Sequence, residues 1–149
     1  MAGQSSVQIP VELNIKTTIH HQDDDKPEVY ELFTSGNYQR KASSAYLRYN
    51  EAMDVGTVNT TVKVTERDLL ILRNGPVKMR MVFQPGQAVS GTYHSPHGLL
   101  EIITEADSLE SFHNIQTNEG FINLQYNLTM QDTMAGTYLV EIKYKEEGK

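Results

Sequence analysis

The sequence predicts an all-β protein, an antiparallel up-and-down β-barrel of about eight to ten strands. Three observations predict it. Apolar residues recur with a period of two over most of the 149 residues. Turn-forming Gly, Pro and Asn fall between the alternating segments. No window of helical length carries apolar residues at the spacing of an amphipathic helix. Parallel pairing would need long crossovers, and the connections are too short for them. Consecutive strands therefore pair antiparallel. About ten strongly twisted strands tend to curl, and closing the sheet removes its exposed edges. A two-sheet sandwich is the second choice.

The elements follow in order. Ile9, Val11, Leu13, Ile15, Thr17 and Ile19 alternate with Glu12, Asn14, Lys16, Thr18 and His20, which makes a long half-buried strand. The run Asp23-Asp24-Asp25-Lys26-Pro27 breaks it. Glu28 to Ser35 reads as a second strand, with Gly36 at a bulge. In Tyr46-Leu47-Arg48-Tyr49-Asn50-Glu51, Leu47, Tyr49 and Glu51 share one face. Val58, Thr60, Val62 and Val64 line the next strand. Asn74-Gly75 suits a type I′ turn before the strand of Val77, Met79, Met81 and Phe83. Pro85-Gly86 suits a type II turn, and Ser95-Pro96-His97-Gly98 a type I turn ending in a left-handed glycine. A single helical turn is an option near Ser108 to Glu110. Asn118-Glu119-Gly120 and Met134-Ala135-Gly136 supply turns around the strand Ile122, Leu124, Tyr126, Leu128, Met130. Tyr138, Val140, Ile142 and Tyr144 form the last strand. The reading is one domain, 1–149, ordered over about 8–145, with a frayed tail.

Composition limits function. Net charge is −6, which argues against nucleic acid as a general partner. No apolar run reaches the length of a membrane helix, so no membrane association is expected. There is no cysteine, and no signal peptide is visible at the start. Both point to a cytoplasmic protein. The charge is uneven: residues 38–80 carry eight basic and four acidic side chains, and residues 101–119 five acidic and none basic. That is the distribution of two solvated faces, or of faces that associate.

No cofactor motif is present, and no cofactor is expected. His94 and His97 flank a turn, and no carboxylate joins them before Glu101, so no metal is assigned there. His20 and His21 are adjacent strand residues and point to opposite faces. Ser95 lacks the strand–elbow–helix context of a nucleophile, and no catalytic residue is assigned. The inward polar groups are more informative. If Leu47 marks the interior, Glu51 is inside or at the rim, and an inward carboxylate wants a basic partner such as Arg73. The candidate ligand-binding residues are Tyr49, Glu51, Arg73, Tyr93 and Tyr126. Inward Met79, Met81 and Met130 would give an adaptable apolar lining.

Four stretches also carry a resemblance. They are Tyr46 to Glu51; the aliphatic run Leu69 to Leu72 leading into Arg73-Asn74-Gly75; Met79 to Phe83; and Gly91-Thr92-Tyr93-His94-Ser95-Pro96-His97-Gly98. Taken in this order they resemble the DUF1934, or YwiB-like, family of small bacterial proteins of unknown function, from about Val11 to Ile142. The resemblance implies a lipocalin-like, calycin-type barrel. It implies no activity and no site residues.

The expected function is a non-enzymatic barrel holding one small amphipathic or anionic molecule in its mouth. The alternative is an interaction module or homodimer that uses an outer sheet face, with the barrel filled by side chains. A hydrolase or isomerase acting inside the barrel is the third reading.

Overall fold

The structure, a computed structural model, describes residues 7–23, 25–54 and 56–148. All its elements are strands: β1 (Gln8–His21), β2 (Glu28–Lys41), β3 (Ser44–Met53), β4 (Gly56–Val64), β5 (Leu69–Asn74), β6 (Lys78–Phe83), β7 (Ala88–Ser95), β8 (Gly98–Asn114), β9 (Glu119–Met130) and β10 (Thr133–Glu146). Each pairs antiparallel with its neighbours in sequence, and β1 pairs with β10, so the sheet is a closed ten-stranded meander. The closing seam runs from Val11 opposite Glu146 to His21 opposite Gly136. One further bond extends it, from the Glu147 amide to the Pro10 carbonyl at 2.9 Å.

The period of two becomes an inside and an outside. Val11, Leu13, Leu47, Val58, Val62, Leu69, Phe83, Ile102, Leu124 and Ile142 point inward, and each is at most 3% exposed. Each such side chain contributes roughly 1.5–3 kcal/mol through burial. An eight-stranded barrel is just filled by its side chains, and ten strands enclose more space. Large rings take up the difference: Phe83, Tyr38, Tyr49, Tyr126 and Tyr144 are all buried in the core.

Several local expectations are corrected. Gly36 is not at a bulge. Its register runs unbroken from Val11 on β1 to Tyr49 on β3. A Cβ there would lie 2.2 Å from the Arg48 carbonyl oxygen and 2.9 Å from Leu13 Cδ1. Glycine is needed for close approach of neighbouring strands. The bulges lie elsewhere, between Ala106 and Ser108 on β8 and between Met134 and Gly136 on β10. The segment weighed as a helical turn is therefore strand. The extra residue Asp107 shifts the inward parity, so Ile102, Thr104 and Ala106 are followed by Leu109 and His113.

The turns also differ in detail. Asn74 keeps a negative φ and only Gly75 is positive, at 146°, so this is not a type I′ turn; Gly75-Pro76-Val77 makes a three-residue link. Both central residues of a two-residue hairpin are left-handed at Gln131 (50°) and Asp132 (63°), which is the type I′ pattern. Met134-Ala135-Gly136 is within β10. Asn118 (56°), not Gly120, turns left-handed before β9. Pro85-Gly86 turns as expected, with Gly86 at 84° and the Gln87 amide donating to Gln84 O at 2.9 Å.

Candidate functional site

The barrel has two mouths, and inward polar residues gather at both. The first lies at the end bounded by the β3–β4, β5–β6 and β7–β8 turns. Inward residues here form one row across six strands: Tyr49, Thr60, Arg73, Met79, Tyr93 and Leu100, each opposite the next. Glu51 stands one pleat nearer the rim than Tyr49. Its Oε1 accepts from Arg73 Nη2 at 3.0 Å and from Thr60 Oγ1 at 3.2 Å. The pair is half-buried, with side chains 22% and 25% exposed, so solvent screens it only in part. Arg73 Nη2 also lies 3.7 Å from Met53 Sδ. Arg73 Nε is buried and has no hydrogen-bond partner among the described residues.

The tyrosines frame this pair. Burial, and then the Glu51 charge, pushes the Tyr49 phenol well above its ordinary range; Arg73 and a hydrogen bond with Thr60 oppose this. Tyr126 stands on β9, across the barrel. Its ring stacks on Tyr138 with centroids 5.1 Å apart and tilts against Phe83 at 4.6 Å. Burial, and then the neighbouring Tyr138 phenol, raises its pKa, and the Arg73 charge acts against the rise. Of the five sequence-selected residues, Tyr49, Glu51 and Arg73 come together, while Tyr126 packs against Phe83 and Tyr138. Tyr93 shares the row, separated from Arg73 by Met79.

The second mouth was not anticipated. Tyr38 on β2 stacks on His113 of β8 at 4.2 Å, nearly parallel, and on Tyr144 of β10 at 5.5 Å. His113 Nδ1 and the Tyr144 hydroxyl are 2.9 Å apart. Gly120 faces both residues, opposite His113 on one side and Tyr144 on the other. A Cβ on Gly120 would meet Tyr144 Oη at 2.5 Å, so only glycine leaves room for the phenol. A cavity of about 250 Å³ opens beside these rings. Tyr38, Arg40, His113 and Tyr144 line it over a floor of Leu47, Val64 and Ile122. Tyr38 is 3% exposed, yet its hydroxyl has no partner among the described residues. Burial, and then the Arg40 charge, pushes the His113 pKa below the usual imidazole range. The sequence signal for this mouth was the inward position of Tyr144 and of a glycine facing it. His113 left none, since it follows a bulge that hides its parity.

The remaining candidates are turn and surface groups. Ser95 Oγ accepts from the His97 amide at 3.1 Å and donates to Gly98 O at 3.2 Å, so it ties its own turn. His94 pairs outward beside Lys78 and Leu99. His21 bonds Glu28, which also accepts from Tyr30. Asp24 lies outside the described residues. Among the described residues no three metal-ligating side chains converge, and no helix is long and apolar enough to cross a membrane. The outer basic region centres on Tyr46, whose ring has Arg48 at 5.0 Å and Lys41 and Lys63 each at 5.8 Å.

Fold and mouths together define a small closed β-barrel with a polar cluster at each end of an apolar interior. The chain belongs to the DUF1934 family, a domain of unknown function, whose model matches residues 13–142. It is 34% identical over 136 residues to the uncharacterized β-barrel protein YwiB of Bacillus subtilis (strain 168), covering 91% of this chain and 93% of the relative. The crystal structure of the ywiB protein from Bacillus subtilis superposes with a TM-score of 0.83 at 32% identity, covering 93% of this chain and 92% of that one.

His113 makes stability pH-dependent. Its folded pKa lies below the unfolded value of about 6.5, so the unfolded chain takes up the proton first. Its contribution is present above about pH 6.5 and is lost as pH falls toward the lower folded value. Thermal melts at pH 7.5 and 5.5 are expected to differ less for His113→Phe than for the wild type. An equal difference would contradict the assignment.

Proposed function

We propose that this is a cytoplasmic, non-catalytic binding protein with a lipocalin-like cup. It takes one small amphipathic or anionic molecule in the mouth formed by Tyr49, Glu51, Arg73, Tyr93 and Tyr126. The observation that carries the reading is the buried Nε of Arg73 beside the Glu51 pair, which has no partner among the described residues. A buried donor left unpaired costs about 1–3 kcal/mol, which a ligand acceptor at that position would relieve. Glu51 holds the other arm of the guanidinium and fixes its direction. Met79 and Met130 pack on the core nearby and can adapt to an apolar body. Native mass spectrometry of the full chain, purified from its source, tests the proposal. The expected result is a bound small molecule on the wild type that Arg73→Met fails to retain while its circular dichroism is unchanged. A bare wild-type mass, with no thermal shift from a panel of small carboxylates, would refute it.

A second reading, self-association through an outer face, is favoured by one groove. It has a volume of about 1090 Å³ and runs along the outside of β8, β9, β10, β1 and β2. Phe33 is 72% and Phe112 55% exposed there, beside Phe121. Lys143 and Lys145 lie against Glu12 and Glu141 in the same groove, a mixture of signs that can meet its own copy about a two-fold axis. Light scattering should then give a dimer mass that Phe33→Ser with Phe112→Ser reduces to a monomer. A monomer mass for the wild type at all accessible concentrations would sink this reading.

A further inference from the structure

The geometry points to a second ligand site at the other mouth: the cavity beside Tyr38, Arg40, His113 and Tyr144 binds a small carboxylate with a short apolar body. This inference stands apart from the reading of the Arg73 mouth, because the two sites share no residue.

Size comes first. A volume of about 250 Å³ equals that of about eight water molecules, below the range of drug-sized sites. The occupant is small. Its body rests on Leu47, Val64 and Ile122, an apolar floor that water hydrates poorly. Its charged end meets two donors. Arg40 reaches the cavity wall and forms no ion pair with a described residue. A free guanidinium matches a carboxylate with two parallel hydrogen bonds. The second donor is the Tyr38 hydroxyl, the one buried side-chain oxygen without a partner among the described residues. Burying a hydroxyl unpaired is unfavourable, and a ligand oxygen removes that penalty.

The donor is also held in place. The Tyr38 ring is stacked on His113 and Tyr144, and the His113–Tyr144 hydrogen bond locks the two supporting rings together. Gly120 gives the Tyr144 phenol its place. Such a platform loses little freedom when a ligand arrives. Charge selects among anions. Arg40 is the cation on the wall and Glu66 also lines the cavity, which favours a monoanion over a phosphate dianion.

The test is a titration of the ¹⁵N-labelled full chain with benzoate and, separately, with hexanoate, followed by amide chemical shifts. Saturable shifts are expected at Tyr38, Arg40, Ser44 and His113. Affinity read at these four amides should fall at least about tenfold in both Arg40→Met and Tyr38→Phe. Tyr38→Phe keeps the ring stack and removes only an oxygen without a partner. Its Tm without ligand should therefore equal or exceed that of the wild type while binding weakens. A role in folding alone would not separate the two readouts in this way. No saturable shift at these amides, wild-type affinity in either of the Arg40→Met and Tyr38→Phe variants, or shifts centred on Glu51 and Arg73 instead would each overturn the inference.

Discussion

Closure of β1 onto β10 is the constraint on which the rest of this structure depends. The two strands are farthest apart in sequence, and their pairing from Val11–Glu146 to His21–Gly136 turns a meander into a wall without edges. Only a closed wall gives each strand one dry face along its whole middle. Without the seam, Ile15 and Ile142, which face each other across it, would border solvent, and the apolar interior would open along a full strand length. The chain also commits its longest-range contact to this step, so closure comes at the largest loop-closure cost in the fold.

Closure also explains why polar chemistry sits where it does. The middle of the barrel is sealed by Leu47, Val62, Phe83, Leu124 and Ile142, and a charge there would be desolvated on all sides. The inward faces of the strands continue past this plug toward both mouths. There an inward residue can be polar because water or a neighbouring strand satisfies it. Glu51 and Arg73 meet at one end and the Tyr38–His113–Tyr144 stack forms at the other. Each cluster contains a buried polar atom that nothing in the described chain satisfies, Arg73 Nε in one and Tyr38 Oη in the other. Both proposed ligand sites rest on these two atoms, each a donor that an acceptor at its mouth would satisfy.

The sequence made the barrel legible because alternation is a local property: each strand announces its own inward face. The Glu51–Arg73 pair was legible for the same reason, as Leu47 gave Glu51 its side and hairpin order brought β5 near β3. What stayed hidden was whatever depended on breaks in parity. The bulge at Asp107 moves His113 onto the inward face, and no local pattern reveals it. Gly36 read as a bulge because an isolated strand glycine has two physical causes, an inserted residue or a close backbone approach, and only coordinates tell them apart. Turn identity was similarly ambiguous. Asn74-Gly75 has the side chains of a type I′ turn, but Pro76 follows and the link is three residues long. Gln131-Asp132 adopts left-handed φ values that its side chains do not advertise. The second mouth joins residues from β2, β8 and β10, strands that are distant in the chain and only meet once the barrel has closed.

Amide hydrogen exchange along β1 tests closure most directly. In an antiparallel strand successive amides point alternately to the two neighbours, so β1 sends half of its amides to β2 and half to β10. With the seam formed, every amide from Val11 to Thr18 exchanges slowly. Slow exchange at the β2-facing amides with rapid exchange at the alternate, β10-facing ones would mean that β1 is an edge strand, and would contradict the closed barrel.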